Sequence, residues 1–113
     1  MYASLRAAAL AAAVVPIALP ALAHVTLERA EAPADSYYIA VLRVPHGCAG
    51  SPTEKLRVQI PEGVTGVKPQ PKPGWQLAIE TARVDPPIKD GHGNVITETV
   101  REVDWTGRLP DAY

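Results

Sequence analysis

The chain has 113 residues, a formal net charge of −1, 47% hydrophobic residues and 12 prolines. That length allows one small domain and no more, and with no basic cluster the footprint of a nucleic-acid-binding protein is absent. A domain of this size has an unfavourable ratio of surface to volume and usually draws on a staple, a metal or a partner for stability.

Residues 1–23 read as a secretory signal peptide. Arg6 supplies a short basic region, residues 7–19 an apolar run, and Ala21 and Ala23 the A-x-A pattern of a cleavage site. The alternative, a retained membrane anchor, needs about 20 apolar residues; this run is shorter and carries Pro16 and Pro20. No second hydrophobic segment follows, so the expectation is an exported protein, periplasmic or extracellular, with no membrane span after cleavage.

Cleavage after Ala23 makes His24 the first residue of the mature chain, residues 24–113, and that changes its chemistry. An N-terminal His offers its free α-amine and its imidazole Nδ1 to one metal ion as a chelate. Copper(II) favours nitrogen ligands in a tetragonal arrangement and stands at the top of the divalent affinity order. The plain alternative is chance, since an A-x-A leader can precede any residue.

From residue 24 the pattern is β, with frequent prolines and no internal repeat. Val25 and Leu27 alternate with Thr26 and Glu28, a short half-buried strand. Residues 32–36, with Pro33 and Asp35, predict a turn. Residues 37–44 (YYIAVLRV) are nearly continuous in apolar, β-branched and aromatic side chains and predict a central strand. Residues 45–52 (PHGCAGSP) are a loop rich in breakers. Residues 55–60 show the cleanest period of two, with Leu56, Val58 and Ile60 on one face and Lys55, Arg57 and Gln59 on the other.

A turn follows at Pro61, Glu62 and Gly63. A short edge strand is expected at residues 64–68, before Pro69, Pro71 and Pro73, which cannot donate ladder hydrogen bonds. Residues 76–84 predict a strand with Leu77 and Ile79 facing inward, residues 85–94 (DPPIKDGHGN) a hairpin loop, and residues 95–105 the returning strand. In that last segment Ile96, Val100 and Val103 also fit one helix face. Its Thr and Val content and the turn-rich loop before it select a strand. Strands separated by such turns, without convincing helices, define an all-β chain and a β-sandwich.

Taken together, AHVTL at residues 23–27, SYY at 36–38, RVPHGC at 43–48, GSPTEKLRVQIPEGV at 50–64, VKPQPKPGW at 67–75, and DWTG and LPD near the end resemble the YcnI-like family of exported copper-associated domains. The resemblance covers essentially all of residues 24–113, and RVPHGC, IPEGV and KPGW in combination are specific. It implies a cupredoxin-like β-sandwich at the periplasm or cell surface. It also implies copper(II) binding through the mature N-terminal His, a monohistidine brace, and the AHVTL block places that role on His24.

Members of that family run on past LPD through further strands that complete the sandwich. Those with an HGC loop carry a second Cys there, the implied disulfide partner of the first. This chain stops at Tyr113, so the expectation is a sandwich incomplete at its C-terminus, with sheet edges left uncovered. Cys48, the single cysteine, would then lack that partner, and such a disulfide contributes about 2–5 kcal/mol in a small exported domain. A lone thiol in an oxidising compartment otherwise points to an intermolecular bond or a reactive group, or is a small buried hydrophobe.

Copper needs more than the two nitrogens of His24. If the strand after His24 pairs antiparallel with the one ending near Pro45, about the turn at Asp35, then His24 faces His46 at a cross-strand Cα distance of about 5 Å. Otherwise His46 is a loop residue capping a turn. Glu28, Glu31 and Glu54 could fill equatorial positions, though spacing singles out none of them and each reads as a solvated charge. His92, in an exposed hairpin, stays outside any site. Cys48 suits copper(I), because soft sulfur matches that oxidation state. Trp75 and Trp105 read as packing residues before metal shields.

No catalytic constellation is visible: Ser36 and Ser51 lack a His–Asp pattern, and no phosphate-cradling glycine loop occurs. The expected function is therefore a copper(II) carrier or scavenger, not an enzyme, that hands its metal to a membrane copper transporter or a cuproenzyme. An oxidative copper enzyme built on an N-terminal His brace is the alternative from the enzyme class. A β-sandwich interaction module with an incidental His24 is the third reading.

Overall fold

The computed structural model describes residues 24–113; the expected signal peptide, residues 1–23, lies outside them. The described residues form five strands and no helix: β1 (Thr26–Leu27), β2 (Leu42–Arg43), β3 (Thr53–Gln59), β4 (Gln76–Lys89) and β5 (Val95–Leu109). They make two antiparallel sheets, β1–β2 and a three-stranded sheet in the order β3–β5–β4. The fold is all-β with two sheets, as in a β-sandwich.

The larger sheet carries the core. Its central strand β5 pairs Val103 with Val58 on one side and Ile79 on the other, and Trp105 with Leu56 and Leu77. Those two rows share one face, and at their centre Val103 is only 1% exposed. The expected period of two in β3 holds, with Leu56, Val58 and Ile60 half-buried and Lys55, Arg57 and Gln59 exposed. Trp75 lies over the strand at Gly107, where a Cβ would come within 2.3 Å of the indole. The Trp105 indole N–H donates to the Gln70 carbonyl at 3.0 Å, which fixes the proline-rich segment against the sheet. Both tryptophans thus serve packing.

The opposite face is a ladder of charge. Arg57 Nε lies 3.0 Å from both Asp104 and Glu102, and Lys55 Nζ lies 3.7 Å from Asp104. Opposite charges directly across an antiparallel pair support the register, and here Arg57 and Asp104 are direct partners. The Asp104 carboxyl is held below the usual aspartate range, first by its hydrogen bond from Arg57 and then by the charges of Arg57 and Lys55.

Several expectations change. β4 does not stop at Val84 but continues to Lys89, and the hairpin loop shrinks accordingly. The strand tolerates Pro86 and Pro87 because it is a sheet edge and its ladder is interrupted between Arg83 and Ile88. The turn is then built by Asp90, whose Oδ1 accepts from the backbone N–H groups of His92 and Asn94, both at 2.9 Å. β5 is a strand, and it runs four residues beyond Trp105.

Residues 64–68 form no strand, since Gly63 and Gly66 both adopt positive φ and bend the chain there. The central strand expected at residues 37–44 is also absent: only Leu42–Arg43 is paired, and Tyr37 and Ile39 are 95% and 83% exposed. The ladder with β1 is two residues long, and among the described residues no strand faces residues 37–40. An apolar run resembles a buried strand in sequence, but pairing decides whether it becomes one.

Candidate functional site

β1 and β2 pair antiparallel about the turn at Asp35, as expected, with Thr26 opposite Arg43 and Leu27 opposite Leu42. The Glu28 N–H donates to the Val41 carbonyl at 2.9 Å and extends the same register. Asp35, at φ 55°, and Ser36, whose hydroxyl donates to the Pro33 carbonyl at 2.6 Å, shape the turn. The register differs from the expected one by a single residue. Continued toward the N-terminus, it sets His24 opposite Pro45 and Val25 opposite Val44. A one-residue step exchanges the two faces of a strand, so in this register His46 falls on the side of Val44 and Val25 and not directly opposite His24.

That grouping is seen directly. A cleft of about 300 Å³ is lined by Val25, Val44, His46, Gly47, Cys48 and the first residues of β3 through Leu56, and His24 is not part of its wall. His24 stands exposed before the first strand. Among the described residues no three His, Cys, Asp or Glu side chains are grouped so as to hold a metal.

The loop that presents His46 and Cys48 is closely fitted. Gly47 is buried, and a Cβ there would lie 1.7 Å from the Ser51 carbonyl oxygen. Its N–H donates to Asp111 Oδ1 at 2.7 Å, across 64 residues of sequence. The Ser51 N–H closes the loop onto the Cys48 carbonyl at 2.9 Å, with Ala49 and Gly50 at positive φ. His46 Nδ1 lies 2.7 Å from the Gly47 carbonyl. A carbonyl only accepts, so Nδ1 is the donor in this contact, and in the neutral ring that tautomer puts the lone pair on Nε2.

The remaining candidates separate from this group. Glu28 pairs with Arg43 at 3.2 Å and Glu54 with Arg108 at 3.5 Å, both on the surface. His92 is exposed in the Asp90 turn, outside any cluster. Cys48 is a free, exposed thiol and not the buried hydrophobe that was one of its readings. Asp111 was not anticipated, because nothing local in LPD marks a residue that will hold a loop so far away in sequence.

The fold and the site together define a small all-β domain that presents a His–Gly–Cys loop on a cleft beside its first strands and leaves His24 exposed to solvent. The chain belongs to the family described as a domain of unknown function, DUF1775, whose model matches residues 24–113. No curated protein and no solved structure matches it. No helix among the described residues is long and apolar enough to cross a membrane.

Proposed function

We propose that this domain is an exported, YcnI-like copper(II)-binding protein of copper trafficking or homeostasis, with the metal held by the α-amine and imidazole of His24. The observation that carries this reading is a coincidence of boundaries: the family match begins at His24, the residue that cleavage at the A-x-A site leaves first. The donor chemistry supports it. An amine and an imidazole on one residue suit copper(II), and the exposure of His24 ahead of β1 lets an ion reach both without disturbing the sheet. The cupredoxin-like sandwich and the periplasmic or extracellular location belong to the same proposal, through the family resemblance.

In this reading copper is cargo and the domain a carrier, whose recipient is a membrane copper transporter or a cuproenzyme. The exposed position of His24 favours handing an ion over. A second imidazole for a catalytic brace would have to come from His46, which faces the cleft, or His92, which sits in the Asp90 turn.

Mass spectrometry of the exported protein should find His24 at the N-terminus, and a start at any other residue removes the chelate. Calorimetric titration with copper(II) should show one equivalent bound, and none to His24→Ala. Unchanged binding by that variant would refute the assignment. Because a metal must displace protons from both nitrogens, affinity should fall as pH drops below the ordinary amine range of about 7.7–8.0.

A further inference from the structure

We infer that the His46–Gly47–Cys48 loop is a second metal site, separate from His24, that takes copper(I) between the His46 imidazole Nε2 and the Cys48 sulfur. The two donors are two residues apart and line the same cleft. The Nδ1 contact with the Gly47 carbonyl leaves Nε2 as the free donor. This is how metal-binding histidines are commonly arranged, with the other ring nitrogen donating to a carbonyl or carboxylate. The thiol is unpaired and accessible.

The other charged groups of the cleft are already engaged. Glu54 pairs with Arg108 and Lys55 with Asp104, which leaves an imidazole and a thiol as the free donors. Thiolate sulfur selects copper(I) over harder divalent ions, and two donors satisfy this d¹⁰ ion, which accepts two-coordinate geometry. Among the described residues no third His, Cys, Asp or Glu side chain is grouped with these two, so the inferred site has two protein donors.

Charge and shape agree with this choice. On binding, the Cys48 S–H bond breaks, its proton leaves to solvent and a Cu–S bond forms. Copper arrives as copper(I), and no electron is transferred. Thiolate, copper(I) and neutral imidazole sum to a neutral complex, which needs no further counter-charge from a cleft where Val25, Val44 and Leu56 stand beside Thr53 and the already paired Glu54 and Lys55. The loop is also held in place: Gly47 has no room for a side chain, and its N–H is bound by Asp111.

The inference does not rest on the reading of His24, and the test keeps the two apart. Copper(I) is offered anaerobically to the full chain, with Cys48 reduced, in competition with a chromophoric copper(I) chelator. One equivalent should be retained, equally by His24→Ala. His46→Ala should bind at least about tenfold more weakly, since even outer-shell groups contribute that much. Alkylation of Cys48, which blocks an exposed thiol in the folded protein, should abolish binding. X-ray absorption at the copper edge should show one sulfur and one nitrogen neighbour. Binding that survives alkylation, that disappears in His24→Ala, or that fails against the chelator in the unmodified chain would overturn the inference.

Discussion

Gly47 is the residue on which the geometry of the cleft turns. A methyl group at this position would meet backbone, at 1.7 Å from the Ser51 oxygen, and not the movable end of a side chain. Overpacking of that kind typically costs about 1–3 kcal/mol, so Gly47→Ala should lower the urea midpoint clearly. Gly91, with nothing within 4 Å of an added Cβ and an ordinary φ, should accept alanine with little change. Equal effects at the two positions would show that the HGC loop is not packed as described. Asp111 acts on the same loop from the far end of the sequence. Asp111→Ala leaves the buried Gly47 N–H without a partner, a loss of about 1–3 kcal/mol, and the same denaturation series measures it.

At the level of elements, β5 organises the larger sheet because it alone has a partner on both sides. Val103, buried and paired with Val58 on one side and Ile79 on the other, is its anchor. Val103→Ala should destabilise by about 2 kcal/mol, the order seen when buried aliphatic groups are removed, whereas Val95→Ala, at an exposed strand end, should cost far less. The charge ladder on the other face adds a dependence on pH. The folded-state pKa of Asp104 is depressed, mainly by its hydrogen bond from Arg57. Its contribution is therefore fully present above the unfolded aspartate value of about 3.9 and is lost as pH falls through the lower folded value. Arg57→Ala should flatten that part of the stability–pH curve below about pH 4 while leaving the slope above pH 6 unchanged. A curve identical to that of the parent would remove the ladder from the account.

For the molecule as a whole, the sequence disclosed class and pairing better than extent. The alternation of Leu56, Val58 and Ile60 identified both a strand and its inner face, because a period of two has no other local cause. The turn at Asp35 and the antiparallel pairing around it were legible too. The register was not: nothing in the residues distinguishes His46 from Pro45 as the partner of His24, and one step decides which side chains share a cleft. Residues 37–41 misled for a related reason, since β-propensity reports fitness for a sheet and not the presence of a neighbouring strand. Pro86 and Pro87 looked like the end of a strand and instead mark an edge, a distinction set by the order of strands in the sheet. The Gly47–Asp111 contact had no sequence signal at all.

The proposed role of His24 depends on a free amine and an exposed imidazole and not on a facing residue, so it is independent of the register of β1 and β2. That dependence can be tested by acetylating the α-amine, which removes its charge and ties up in an amide the lone pair that would bind the metal. The most direct measurement is the electron paramagnetic resonance spectrum of the copper(II)-loaded mature chain, compared with the same chain acetylated at the His24 α-amine. The account predicts a nitrogen-rich type-2 signal at one equivalent from the free N-terminus, and its loss on acetylation with the fold intact by circular dichroism. An unchanged signal from the acetylated chain would place the copper elsewhere and contradict the account.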